Sequence, residues 1–489
     1  MLLTDDLLLD YKRCQRRAFL NAYGSPLQKD PERDFLLKLR QESQQHLKNV
    51  LNEHYPDHEE PQARQKHWRT VAEATENLMK EGAACIYHGV LVYEYADHDD
   101  AVGTLRARTI TLLGRPDLLI KQPGESKYGD WQYWAINIQL GRRPKPEYKL
   151  ITAFNAYLLG FIQGQLPPYS EIILRRHNYH RVDLSVWIPK MEEVLAECLK
   201  MLDYQTEPEV FISRQRCSLC HWYSHCYEIA QSQQHLSLVP GVTPSRYQYL
   251  QSVGVLSLES LAAISPKQFG EAMGLEIANQ LQQQALSLVE NRAFRRAITG
   301  KKSVASIPTD DIEFYFDIEA EPEQNLDYLL GVLLVDRTEN SQRFYPLLAE
   351  KPEDEFRVWE EFLELVHTYP ESPIFHFAEY EQETIKRLGQ LYQTPRPVID
   401  RLTARCFDLH HQVTQCATLP VESYSLKSLA NWIGFQWRNQ GVSGDQCVWW
   451  YDRWLKTGDR SFLQAIVQYN EDDCKATYHL KNWLADFLS

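Results

Sequence analysis

At 489 residues the chain is long enough for two or three domains, and its 44% hydrophobic composition is sufficient for sizeable cores. No run of about 18 or more apolar residues occurs, which argues against a spanning helix, and Met1-Leu2-Leu3-Thr4-Asp5-Asp6 lacks the basic start of a secretory leader, so a cytoplasmic protein is expected. The net charge of −14 argues against indiscriminate coating of nucleic acid; it is concentrated from residue 311 onward, with 30 acids against 16 bases there and 36 of each before.

In chain order, Thr4 precedes Asp5-Asp6-Leu7-Leu8-Leu9-Asp10-Tyr11, a capped helix with acids in its first turn. Helical periodicity returns from Phe35 to Leu51, after the Asp30-Pro31 break, and again from Trp68 to Met79. Strand-like runs follow at Val90–Tyr95, Thr109–Leu113 and Leu118–Ile120, then, past a polar hairpin at 124–130, at Trp131–Leu140. This order, with His46 upstream and Asp117 in Arg115-Pro116-Asp117, resembles the RecB-like branch of the PD-(D/E)xK nucleases. The resemblance implies an acid-x-Lys on the next strand, but Asn137 and Gln139 stand there, two amides that neither balance a cation nor supply one. Ile151 and Asn155 stand where the family carries Gln and Tyr. A nuclease fold that has lost its chemistry is expected. Arg142, Arg143, Lys145 and Lys149, with Arg175-Arg176-His177 further on, could still contact phosphates, or could simply be a solvated surface.

Ten cysteines in a cytoplasmic chain are not expected to pair as disulfides. Cys85, Cys198, Cys406, Cys416, Cys447 and Cys474 are scattered singly and read as small core residues. Cys217-x2-Cys220-x5-Cys226 brings three thiols round one centre, which suits zinc with His221 or His225 completing the set. Together with the lone Cys14 the pattern resembles the iron–sulfur RecB-like nucleases. That resemblance implies a structural [4Fe–4S] cluster on Cys14, Cys217, Cys220 and Cys226. Zinc and free thiols are the alternatives.

From about 236 to 295 the chain turns helical. Leu238-Val239-Pro240-Gly241-Val242-Thr243-Pro244 and the run Tyr249–Leu261 resemble a helix-hairpin-helix element, in which the turn at Gly241 would offer backbone N–H groups to a phosphate. A purely structural linker is the alternative. Arg292, Arg295, Arg296, Lys301 and Lys302 then form a basic connector.

Glu313-Phe314-Tyr315-Phe316-Asp317-Ile318-Glu319 reads as a buried strand ending in two carboxylates. Positions i and i+2 of a strand share a face, so Asp317 and Glu319 aim at one spot and repel unless a cation lies between them. Hard oxygen ligands of this kind suit Mg²⁺ or Mn²⁺. Near the C-terminus, Tyr469 and Asp473 lie four apart in a helical pattern from Phe462 to Leu484 and share one face. Phe-Asp-x-Glu on a strand followed by Tyr-x-x-x-Asp on a late helix resembles the DEDDy group of RNase H-like 3′→5′ exonucleases. In that group Asp317, Glu319 and Asp473 would hold two metal ions and Tyr469 would orient the attacking water. A fourth acid is expected in Pro373–Glu381, with Glu381 the better placed and Glu379 the spare; most relatives carry Asp there.

The expected protein is thus a multidomain α/β chain: residues 1–232 a RecB-like iron–sulfur module, 233–307 a helix-hairpin-helix linker, and 308–489 an RNase H-like exonuclease domain. It resembles bacterial RecB-like nucleases that combine these three parts. The implied activity is metal-dependent 3′→5′ trimming of single-stranded or frayed nucleic acid, DNA rather than RNA, without a membrane partner. The rivals are an RNA exonuclease and a nucleic-acid-binding scaffold in which both nuclease modules are inactive.

Overall fold

The structure, a computed structural model, describes residues 1–62, 67–97, 108–175, 178–296 and 306–489. Arg176, His177, Lys301 and Lys302 lie outside the described residues. The chain divides into two compact units, Met1–Val210 with Arg214–Tyr227, and Phe211–Ser213 with Glu228–Ser489. Among the described residues no helix is long and apolar enough to cross a membrane.

The first unit opens with β1 (Leu2–Thr4) and α1 (Asp5–Arg13). The Thr4 side chain accepts a hydrogen bond from the Leu7 N–H, acids occupy the first turn of α1 and Lys12 and Arg13 its last, an arrangement that complements the helix dipole. Next come α2 (Gln15–Tyr23), α3 (Asp34–His54), α4 (Trp68–Glu81), β2 (Cys85–Tyr87), β3 (Leu91–Asp97), β4 (Arg108–Gly114), β5 (Leu118–Ser126) and β6 (Gly129–Ile138). They are followed by α5 (Pro146–Gln163), β7 (Tyr169–Leu174), β8 (Asn178–Asp183), α6 (Leu184–Tyr204), α7 (Arg214–Cys217) and α8 (Tyr223–Ser232). One sheet runs β2-β5-β6-β7-β8, with β6 and β7 parallel, and a smaller one runs β1-β4-β3. The β5–β6 hairpin pairs Leu118 with Ile136 and extends to Ser126 opposite Gly129. Helix α5 is apolar on most sides and accordingly buried along most of its length.

In the second unit α9 (Pro244–Ser252), α10 (Leu258–Ala263), α11 (Pro266–Met273) and α12 (Leu275–Glu290) enclose their own core of Val239, Tyr247, Leu250, Leu261, Phe269 and Leu281. The chain continues through β9 (Phe294–Arg295), β10 (Ile312–Glu321), β11 (Leu326–Asp336), β12 (Ser341–Leu348), α13 (Glu355–His367), β13 (Ile374–His376), α14 (Tyr380–Leu391) and α15 (Arg396–Ala404). It closes with β14 (Cys406–Asp408), α16 (Leu409–Cys416), β15 (Ala417–Thr418), α17 (Leu426–Trp432), α18 (Gly444–Thr457) and α19 (Arg460–Leu488). The Gln284 amide donates to the Leu419 carbonyl at 2.6 Å and accepts from the Tyr424 hydroxyl at 2.9 Å, so α12 is fastened to the segment that follows β15.

The five-stranded sheet has the order β12-β11-β10-β13-β14, with β11 antiparallel to β10 and with β13 and β14 parallel to their neighbours. Central β10 is buried on both faces, with Phe314 and Phe316 in one core and Tyr315 in the other. Helix α19 is anchored over it by a buried ion pair, in which Lys481 Nζ donates to Glu313 Oε1 at 2.7 Å and the Tyr315 hydroxyl donates to Glu313 Oε2 at 2.6 Å. Arg337 Nη2 also pairs with Glu313 Oε2 at 2.6 Å, so it is the loss of Glu313, which strands the buried Lys481 ammonium, that costs about 3–5 kcal/mol.

Candidate metal centre

Strand β10 and helix α19 build the centre between them. Asp317 and Glu319 leave β10 on one face, just before its register shifts between Glu319 and Ala320. Asp473 reaches them from α19. One oxygen of each of the three carboxylates lies within 4.8 Å of the others, and among the described residues no other group of His, Cys, Asp and Glu is as tight. Glu319 is buried, while Asp317 and Asp473 keep partial access to solvent.

The helix can come this close because position 331 on β11, opposite Asp317, is a glycine. A Cβ there would stand 1.5 Å from Asn470 Oδ1. Asn470 is fully buried, and its Nδ2 donates to Asp317 Oδ2 at 2.7 Å. Cys474, one turn further on, donates its thiol to the Gly331 carbonyl at 3.4 Å.

Three anions in one partly closed space are poorly tolerated, and the titration of the site reflects this. Burial pushes Asp317 well above the usual carboxylate range, and Asp473, Glu319 and Glu381 push it further. Glu319 is raised by burial and by Asp473, against a hydrogen bond from the Cys447 thiol. Asp473 is raised to about 7 by burial, opposed by the indole of Trp437, the ammonium of Lys427 and the hydroxyl of Tyr469. Trp437 Nε1 donates to Asp473 Oδ1 at 2.6 Å. A divalent cation would supply the missing positive charge, and three hard carboxylates of this reach fit Mg²⁺ or Mn²⁺.

Tyr469 sits one helical turn before Asp473 and is buried. Burial and then Asp473 and Glu319 raise its phenol far above neutrality, so it is a hydrogen-bond donor at physiological pH rather than a base. Lys427, on α17, holds its Nζ 5.5 Å from the ring centre of Trp437 and 5.9 Å from that of Tyr469.

The fourth acid has a less open position. Glu381 lies in the first turn of α14 and is buried; its carboxyl is raised by burial and held down by His376, whose Nδ1 is 3.6 Å from Oε2. Glu379 is exposed. The turn that delivers Glu381 passes through Ala378 at φ +79°, a left-handed conformation that an alanine adopts at a cost of about 1–2 kcal/mol. Asp408 holds it there by accepting from the Ala378 N–H at 3.0 Å.

Two more acids flank Asp473, and neither is available. Arg438 donates through its backbone N–H and Nε to Asp472 at 2.9 and 2.8 Å, and through Nη2 to Glu471 at 2.7 Å, which also takes Lys475 at 2.7 Å. Trp437, Asn470 and Arg438 carry no signal in the sequence, and Cys447, read there as a small core residue, gives its thiol to Glu319. The i, i+4 relation to Tyr469 is what points to Asp473 rather than Asp472.

In the first unit Asp117 accepts from the Ile138 N–H at 2.6 Å and is raised to about 7, by burial first and then by Asp5 and Asp6. Asn137 faces Asn155, whose Nδ2 lies 3.4 Å from Asn137 Oδ1, and His46 is buried on α3. Arg142, Arg143 and Lys145 are exposed on the loop before α5, and Gly241 is exposed at φ +92° with its carbonyl accepting from Arg246. Cys14 separates α1 from α2, Cys217 ends α7, Cys220 follows it and Cys226 lies on α8. Burial raises the Cys220 thiol, with Cys14 adding to it. Burial raises Cys226 to about 11, opposed by a hydrogen bond from Arg16 and reinforced by Cys220 and Cys14. Cys14 is therefore within electrostatic reach of Cys220 and Cys226 despite some 200 intervening residues. The four sulfurs do not draw together as tightly as the three carboxylates. The neighbouring Arg16 and Arg17 oppose the rise of Cys226 and Cys220 without cancelling it.

No curated protein matches the chain. A family model of the RNase H superfamily matches residues 314–485, the stretch that contains Asp317, Glu319, Glu381, Tyr469 and Asp473. The C-terminal part of the chain is accordingly an RNase H-like domain, of a nuclease-type superfamily that uses divalent metals.

Proposed function

We propose that the chain is a metal-dependent 3′→5′ exonuclease acting on single-stranded or frayed nucleic acid, DNA rather than RNA. The observation that carries the reading is the convergence of Asp317, Glu319 and Asp473 from a central strand and a crossing helix, with Tyr469 one turn from Asp473. Asp317, Glu319, Asp473 and Glu381 would hold two Mg²⁺ or Mn²⁺ ions. Bound there, the ions would neutralise phosphate charge and lower the pKa of water. The protein's own contribution is positional. Asn470 fixes the carboxylate of Asp317, and Tyr469, a phenol at neutral pH, directs its hydroxyl toward the attacking water.

The domain plan follows the same reading: residues 1–232 a RecB-like module that binds rather than cuts, 233–307 a helix-hairpin-helix linker and 308–489 the exonuclease domain. Arg142, Arg143, Lys145 and the turn at Gly241 are the proposed backbone contacts. Cys14, Cys217, Cys220 and Cys226 would carry a [4Fe–4S] cluster that joins the two ends of the first module. The test is digestion of DNA and RNA strands labelled at one end and blocked at either. Shortening that requires a free 3′ end, stops with EDTA and returns with Mn²⁺ is expected. Undegraded strands under all conditions would replace the enzyme with a binding scaffold.

A further inference from the structure

Between α17 and α18 the chain crosses the outside of the metal centre. Of residues 431–446 Trp437 alone is buried, at 4% exposure, while Gly434, Gln436, Arg438 and Gly441 are exposed. The strap bends at Gly434 (φ +95°) and Gly441 (φ +86°), where a side chain would be strained. It is fastened at two points. Arg438 holds Asp472, Glu471 and the Gln468 carbonyl of α19, and Lys427 donates to the Val442 carbonyl. Between them the Trp437 ring packs against Phe435, 5.0 Å between centres, and its N–H reaches Asp473 Oδ1.

We propose that Trp437 is a positioning residue for the metal-holding carboxylate of Asp473, and that the strap makes the strength of cation binding depend on its own docking. The inference rests on the metal-centre reading above. A carboxylate has two oxygens; the indole N–H claims Oδ1, which would leave Oδ2 free for a cation shared with Asp317 and Glu319. Without that bond Asp473 can rotate about its terminal torsion or pair with Lys427. The indole offers nothing but one N–H donor and a rigid ring, so its part is orientation rather than proton transfer. Groups that orient metal ligands in this way change metal affinity or activity by roughly 10- to 100-fold when lost.

The experiment titrates MnCl2 calorimetrically into the full chain and its Trp437→Phe, Asp317→Asn and Asp473→Asn variants, without nucleic acid. Trp437→Phe is expected to weaken Mn²⁺ binding by roughly 10- to 100-fold, and to raise the Mn²⁺ concentration needed for half-maximal cleavage while turnover at saturating Mn²⁺ stays near wild type. Binding that overlays the wild type, while Asp317→Asn weakens it, overturns the role of Trp437 and leaves the metal centre standing. Binding indifferent to Asp317→Asn and Asp473→Asn overturns both. Because phenylalanine is smaller than the indole, a second form carries 3-benzothienylalanine at position 437, which keeps the two-ring shape and lacks the N–H. The same weakening is expected of it. Wild-type binding would assign the effect to packing and refute the hydrogen bond.

Discussion

The closeness of α19 to β11 can be tested at Gly331. In Gly331→Ala the new methyl would stand 1.5 Å from Asn470 Oδ1 and 2.7 Å from its Cγ, so Asn470 must leave its rotamer or α19 must lift. Overpacking of this kind costs about 1–3 kcal/mol. Losing the donor to the Asp317 carboxylate adds about 1.5–3 kcal/mol. The atoms in the way belong to the amide of Asn470, and Asn470→Ala removes them. A double-mutant cycle should therefore give a large coupling energy: Gly331→Ala costs roughly 3–5 kcal/mol in the wild-type background and under about 1 kcal/mol in Asn470→Ala. Urea unfolding followed by near-ultraviolet circular dichroism measures it, with the transition that shifts in Asn470→Ala marking the second unit. An equal cost in both backgrounds, or none in the wild type, would refute the contact and the positioning of Asp317 built on it.

Other consequences can be checked separately. Asp117 titrates at about 7 when folded against 3.8 for a free aspartate, so the folded state holds a proton that the unfolded state releases. Its contribution is complete below about pH 4 and is lost as pH rises toward 7, a change of at most about 4 kcal/mol at roughly 1.4 kcal/mol per unit. Asp117→Asn, which keeps an acceptor for the Ile138 N–H, should flatten that decline in a urea-midpoint profile across pH 4 to 8 and leave cleavage unchanged. Anaerobically purified protein should be brown, with iron and sulfide in equal amounts, and Cys217→Ser should bleach it; a colourless preparation with stoichiometric zinc would reassign the cysteines. Glu381→Gln should slow cleavage while the exposed Glu379→Gln does not, and Tyr469→Phe should cost about 10- to 100-fold in single-turnover rate.

What could be read from the sequence was what lies close along the chain. Asp317 and Glu319 sit two apart on a strand, Tyr469 and Asp473 four apart on a helix, and these spacings dictate a shared face. The same holds for the hairpin around residues 124–130 and for the cap at Thr4. What could not be read lies across the fold. Asn470 meets Asp317 across 153 residues and Trp437 meets Asp473 across 36, and neither residue type announces a polar contact with a carboxylate. Gly331 sits within an apolar strand run, and the reason for a glycine there becomes visible only when α19 is laid across it. Arg438 shows a further limit. The run Glu471-Asp472-Asp473 offers three acids; the spacing from Tyr469 singles out Asp473, but that Arg438 and Lys475 neutralise the other two is visible only in the fold.

The central claim is that 3′-end cleavage belongs to the carboxylates around Asp317. The most direct measurement is the single-turnover rate of Asp317→Ala on a 3′-accessible single strand at saturating Mn²⁺, in protein whose unfolding profile matches the wild type. Loss of a metal ligand removes charge neutralisation and water activation together, so a fall of roughly 10³-fold or more is expected. A rate equal to the wild type's would contradict the account.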